Sequence, residues 1–444
     1  MSQTYSPPPP ATSRTRPLLL VVWAAMTLGG LAFVFFFGTN MPWGDEWMFV
    51  PAVVDAEPTG PWLWRQHNEH RLPLTRAVYY AVFQVFRDYR AAMYAQVVLL
   101  SALSLGLMAV AVRLRGRPAW ADAFFPISLL NLGHWENFIM GYQLFFVIFT
   151  VLAAGLAVVA ARATRATAFR SGVAAGLLLW MAMLSGAFGL ALVPAVGLWL
   201  LYLAGVVWAT DARWKAVVLV AFVAVAGAYF VPYFDGYHRP SHHPEINRDP
   251  LVVLPMTGVV LSLAVGVGVS WVWWLVAVGE VVLGVATVVM LLRRPADERP
   301  ASLGLIAVAA GIFAMALTIA AARGAWEYEQ VKGWSRYSHL VWPLLGAAYL
   351  AWVKAGDRRV PALLCAVAVA ALPTNTGTGI WIGAAARDQY RLIEDDLRAG
   401  RPAEAIVRER FPDTPHEVAP DGGRVGIPLL RDAGVLPGKT DGRP

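Results

Sequence analysis

The chain has 444 residues, of which 58% are hydrophobic and only 15% charged, and its formal net charge is +7. A soluble domain carries about 25% charged residues, so this composition excludes an ordinary globular enzyme and points to a polytopic membrane protein. The basic excess is spread over short connections, which excludes a surface that tracks nucleic-acid phosphates, and the single cysteine, Cys365, excludes an intramolecular disulfide and a cysteine metal site.

In chain order, residues 1–16 read as a cytoplasmic N-terminal tail in which Pro7–Pro10 precede Arg14 and Arg16. The apolar run Leu18–Phe37 exceeds the ~7–15 residues of a signal-peptide core and reads as an uncleaved first membrane helix. Further windows near the ~20 residues needed to cross ~30 Å of hydrocarbon fall at 92–112, 119–134, 143–161, 171–186, 188–208, 216–234, 251–292, 301–322, 339–353 and 360–373. The stretch 251–292 is too long for one crossing; it is two helices, or one crossing preceded by a re-entrant or in-plane segment.

Arginine and lysine placement orients the map. Arg113/Arg115/Arg117, Arg162/Arg165/Arg170, Arg213/Lys215, Arg293/Arg294/Arg299 and Lys354/Arg358/Arg359 all sit in short connections expected to face the cytoplasm. Alternation satisfies them if 251–292 supplies a single full crossing, giving an all-α bundle of about 10–11 transmembrane helices. The loop 39–90, the turn 134–142, the loops 235–250 and 323–338 and the tail after about 374 then share the extracytoplasmic face. Residues 17–375 form the membrane module, and 376–444 a small tail of short amphipathic helices on that same face.

The unusual polar residues lie on that face. The first loop holds Asp45 and Glu46 between Trp43 and Trp47, then "QHNEHR" with His67, Asn68, Glu69, His70 and Arg71. Over 73–88, Leu74, Val78, Ala81 and Val85 fall on one side and Arg76, Arg87 and Asp88 on the other, the spacing of an amphipathic helix lying along a membrane surface. Interfacial anchoring alone would explain the tryptophans, but not so many ionisable groups in a loop too long for a simple connector. The turn "NLGHWENFIMGYQLFF" adds His134, Glu136, Asn137, Tyr142 and Gln143, more polar residues than helix capping needs.

The loop 233–245 carries Tyr233, Asp235, Tyr237, His238, Arg239, His242, His243 and Glu245; no metal-binding spacing is present, and a substrate-lining loop is the better reading. The loop "RGAWEYEQVKGWSRYSHLVWP" carries Arg323, Lys332, Arg336, Tyr337 and His339, with three cations close together on the face where cations are scarce, which calls for an anionic partner. A carboxylate can take a proton from a hydroxyl, and an arginine fork can stabilise a departing phosphate. Beside a membrane, this suits group transfer from a lipid-linked phosphate donor.

On these residues the chain resembles the GT-C superfamily of polytopic glycosyltransferases. Members carry an acidic pair directly after the first membrane helix, matched by Asp45 and Glu46 in "GDEW", and the stretches "HNEHRLPLTR", "GHWENFIMGYQ" and "RYSHLVWP" are similar to bacterial members; the resemblance covers roughly residues 15–375. It implies a GT-C-like bundle in a bacterial plasma membrane that moves a sugar from a polyprenyl-phosphate donor to a glycan, lipid or protein acceptor, with inversion at the anomeric carbon. Asp45 would be the base and Glu46 would orient it or the acceptor. Arg336, with Lys332 and Arg71, would meet the donor phosphate beside His70, Glu136, Tyr142, Gln143 and Tyr337. Trp43, Trp47, Asn68, Tyr237 and His238 would line the acceptor side. Some members need a divalent metal, Mg or Mn, and others do not, so the metal stays unassigned. The sugar, the acceptor and the oligomeric state stay open. A transporter or lipid flippase is the main rival, with Glu280 its clearest mid-helix carboxylate. Another lipid-phosphate envelope enzyme, such as a polymer ligase, is the second.

Overall fold

The computed structural model describes residues 14–210, 212–240, 243–411 and 418–436, so most of the N-terminal tail and His242 lie outside the described residues. The architecture is all-α. The helices are α1 (Thr15–Phe37), α2 (Pro73–Phe86), α3 (Arg90–Arg115), α4 (Leu144–Arg162), α5 (Ala168–Leu184), α6 (Ala187–Thr210), α7 (Arg213–Ala228), α8 (Pro250–Ser262), α9 (Trp273–Leu292), α10 (Arg299–Arg323), α11 (Ser338–Lys354), α12 (Arg359–Arg398), α13 (Ala403–Arg410) and α14 (Val418–Asp432), with short helical turns between some of them. Eight of these segments, built on α1, α3, α4, α6, α7, α9, α10 and α12, are long and apolar enough to cross a membrane. α5 and α8 are shorter apolar helices.

One window differs from its sequence reading, and a second settles a choice that the sequence left open. Residues 119–134 form no single helix; the chain climbs in short pieces, Trp120–Ala123, Phe124–Leu129 and Leu132–His134. These pieces are tied to α11 by side-chain bonds: Tyr349 donates to Asp122 (2.7 Å), Trp342 to Ser128 (2.9 Å), and His339 Nε2 lies 3.0 Å from the Leu129 carbonyl. The window 251–292 divides into α8 and α9 at Gly266, whose φ of +107° is open only to glycine.

α8 begins beside the end of α10, where Asn247 N–H donates to the Ala321 carbonyl, and the turn Leu263–Val265 that follows it packs on Ser335–Tyr337 and α11. Both ends of α8 therefore lie at the end of the bundle that carries loop 39–90, here the loop face, and α8 is not a full crossing. α9 then runs to the opposite end, where Trp352 donates to Thr287. This is the arrangement of one crossing preceded by a partial segment.

α12 is continuous over 40 residues, so the boundary drawn at 375/376 falls inside a helix that carries the chain out to the loop face. There α13 and α14 fold back over the first loop. Trp47, fully buried, packs its side chain against Gly422 and Gly426 of α14, where a Cβ would stand within 3 Å of the Trp47 Cβ and of its indole, respectively. Surface helix α2 is present, and its Arg76 side faces the protein: Arg76, Tyr79 and Phe83 are buried, while Val85 on the apolar stripe is 74% exposed. The Arg76 guanidinium lies over the Phe49 and Trp62 rings and donates to the Trp62 and Arg65 carbonyls.

Candidate functional site

The acidic pair sits on a 3-10 turn, Gly44–Phe49, directly after α1. With about three residues per turn, neighbouring side chains diverge by roughly 120°, so two consecutive carboxylates cannot face the same space. Glu46 turns inward. Its carboxylate accepts from the Trp43 backbone N–H (2.9 Å) and from the Tyr79 hydroxyl, and Gly141 leaves room for it, since a Cβ there would stand 2.7 Å from Oε1. Burial pushes this carboxyl up to about 7, against the pull of those two donors.

Asp45 turns outward into a cavity of about 320 Å³. Opposite it, "HNEH" closes into a tight turn in which His67 and His70 exchange backbone hydrogen bonds of 2.8 Å. Asn68 occupies the left-handed region (φ +47°), which asparagine tolerates, and its amide donates to Asp45 Oδ2 at 3.0 Å. Behind it His67 Nε2 stands 3.6 Å from the same oxygen. Burial raises the Asp45 carboxyl, but His67, the charge of Arg336 and the Asn68 bond outweigh it and hold the group at about 2. Asp45 is therefore ionised throughout the physiological range and Glu46 is not.

Across the cavity are Glu136, Arg336 and Tyr337. Glu136 accepts from the Arg336 backbone N–H (2.7 Å) and the Ser335 hydroxyl (3.1 Å), which ties the 134–143 turn to the 323–338 loop. The Arg336 guanidinium lies over the Trp334 ring at 4.7 Å, and its Nε is buried without a hydrogen-bond partner among the described residues. A third wall is an ion network: Arg323 donates to Glu69 (2.7 Å) and to the Tyr337 hydroxyl (2.9 Å), and His243 lies 3.1 Å from Glu69. Burial raises the Glu69 carboxyl, but the charges of His70, Arg323 and His243 hold it at about 2. Below these groups the lining is apolar, with Phe145 and Phe146 of α4, Phe188 of α6 and Met315 and Ile319 of α10.

Of the residues singled out in the sequence, Trp43, Asp45, Asn68, His70, Glu136, Tyr142, Gln143, Arg336 and Tyr337 line this one cavity. Trp43 stacks on Tyr390 of α12, ring centroids 4.7 Å apart, and the Tyr390 hydroxyl donates to the Pro42 carbonyl. Burial first of all holds the His70 imidazole down at about 4, so it is neutral at pH 7; its ring packs on Phe188 at 4.6 Å.

Six residues are not on the wall. Glu46 and Trp47 point into the protein, as described. Arg71 spends its guanidinium on the carbonyls of Trp64, Tyr233 and Asp235, which makes it a clamp between two loops. Lys332 pairs with Glu329, Tyr237 packs on Phe234, and His238 is an exposed residue whose backbone bonds Gln66.

Sequence reasoning gave His67 and Glu69 no individual site role, and it named Arg323 only among three cations that call for an anionic partner and His243 only within a substrate-lining loop. Glu69 and His67 were visible within "QHNEHR". The Arg323–Glu69 pair was not, because 254 residues separate its members. No three His, Cys, Asp or Glu side chains converge among the described residues, so the donor set does not fit a protein-built metal site, and no step below runs through one. No family model, curated protein or solved structure matches the chain. The fold and cavity define the class, an all-α protein built for multiple membrane crossings with a polar cavity at one end.

Proposed function

We propose that the protein is a GT-C-like glycosyltransferase that moves a sugar from a polyprenyl-phosphate donor to an acceptor hydroxyl, at the extracytoplasmic face of a bacterial plasma membrane. One observation carries the reading: an ionised carboxylate, a guanidinium with unused donor capacity and an apolar wall meet in a single cavity at one end of a helical bundle. A lipid-linked sugar phosphate needs those three surfaces. The prenyl chain lies along Phe146, Phe188 and Met315, the phosphate meets Arg336, and the sugar sits between Arg336 and Asp45.

The acceptor hydroxyl enters on the Asp45 side. Its oxygen attacks the anomeric carbon from the face opposite the phosphate while Asp45 takes its proton. The bond from carbon to phosphate oxygen breaks, its electron pair stays on the phosphate, and Arg336 stabilises the charge that develops there. Attack from the opposite face inverts the anomeric centre. Asn68 and His67 orient Asp45, while Glu46 fixes the turn beneath it.

The test is incubation of the purified full chain with a panel of polyprenyl-phosphate sugars and candidate acceptors. Formation of a glycosylated product together with free polyprenyl phosphate is the expected result. Transport of the lipid across proteoliposomes without bond cleavage would replace this reading with a flippase.

A further inference from the structure

At the end of the bundle opposite the loop face lies a second cavity, of about 290 Å³, lined by the start of α1 at Thr15, the turn Arg115–Ala121, and the start of α12 with Arg358 and Pro361. Three arginines reach it, and they are not equivalent. Arg115 is held by a fork of two 2.9 Å bonds to Asp122, whose oxygens also take the Tyr349 hydroxyl and the Ala119 N–H. Asp122 is thereby saturated and has nothing left for the others. Arg117 and Arg358 have no carboxylate partner among the described residues, and Asp357, the nearest acid in sequence, caps the Arg359 and Val360 N–H groups instead. The cavity is therefore lined by two guanidiniums, one on the connection after α3 and one at the start of α12, with no carboxylate partner among the described residues. Next to it Trp120 is 56% exposed, as expected of a side chain at a bilayer interface, and Leu18 and Leu363 present exposed apolar surface on the first turns of α1 and α12.

We infer that this cavity binds the phosphate headgroup of an anionic phospholipid, with Arg117 and Arg358 on the phosphate and the acyl chains along Leu18 and Leu363. Arginine forks fit phosphate oxygens, and the apolar surface directly beside them suits a lipid better than a soluble anion. The site is independent of the sugar-transfer reading, because it lies at the other end of the bundle and shares no residue with the loop-face cavity.

The test is native mass spectrometry of the full chain released from nanodiscs of mixed phosphatidylglycerol and phosphatidylcholine. The expected result is preferential retention of phosphatidylglycerol, lowered roughly 10- to 30-fold by Arg117→Gln with Arg358→Gln. Arg293→Gln with Arg299→Gln removes the same charge from exposed positions at the same end, outside the cavity, and leaves retention unchanged. The single variant Arg358→Glu, at an exposed side chain, gives the same direction of loss if the first double variant does not fold. Equal retention of the two lipids, equal loss in both double variants, or displacement of the lipid by excess inorganic phosphate would overturn the proposal.

Discussion

Both ends of the bundle carry arginines, and the ends hold them differently. On the loop face Arg323 is locked to Glu69 and Tyr337, and Arg336 shares its cavity with Asp45 and Glu136, so positive charge is matched by acids across a deep, partly apolar space. Around the cavity at the opposite end Arg115 is matched by Asp122, while Arg117 and Arg358 have no carboxylate partner among the described residues. Balanced charge around a cavity suits chemistry in which a proton and a negative charge move in opposite directions. Unbalanced charge at helix ends suits holding an anion in place. The same contrast recurs within one turn of chain, where Asp45 is ionised and faces the cavity while its neighbour Glu46 is buried and structural.

These contrasts can be broken in order of expected effect. Asp45→Asn keeps the shape of the side chain and removes the base, so transfer by purified protein should fall ~10³-fold with thermal stability retained. Wild-type turnover in that variant would leave Asp45 without a catalytic role.

Glu46 tests the other half of the pair through pH. A carboxyl whose folded value is about 7 instead of its ordinary 4.5 favours the folded state fully only below pH 4.5. As pH rises towards 7 and beyond, the folded state loses about 3 kcal/mol relative to the unfolded chain. The wild-type melting temperature should therefore drop between pH 5 and pH 8, and Glu46→Gln, which cannot ionise, should flatten that drop. An unchanged drop in the variant would assign the pH dependence to other groups.

Arg336→Ala should cost ~10²-fold in kcat/KM, expressed mainly against the lipid donor in a two-substrate titration. Equal losses against donor and acceptor would move Arg336 off the phosphate. The smallest effect belongs to Tyr390→Phe, which deletes one hydrogen bond to Pro42 and leaves the ring stacked on Trp43, so thermal unfolding should shift by about 1 kcal/mol.

The helical bundle was legible because a membrane-crossing helix must be long, apolar and internally hydrogen-bonded, and each of these properties is local. The window 119–134 was misread as one helix because its apolar length is that of a helix, while its short pieces pack and bond to α11, more than 200 residues away. The cavity was legible in part. Asp45, Asn68, His70, Glu136, Tyr142 and Arg336 stood out as polar residues where connecting loops have no need of them. Arg71 looked the same in sequence, and only the carbonyls of Trp64, Tyr233 and Asp235 explain its charge structurally.

Sequence by itself determined that this is an all-α chain with repeated membrane-length helices and clustered polar loops, since hydrophobicity and length act within each segment. Tertiary structure decided which polar groups meet. It set Asp45 in the cavity and Glu46 behind it, paired Arg323 with Glu69 across 254 residues, and folded the C-terminal helices over Trp47. Such pairings depend on the directions in which side chains leave packed helices, and no spacing along the chain encodes them.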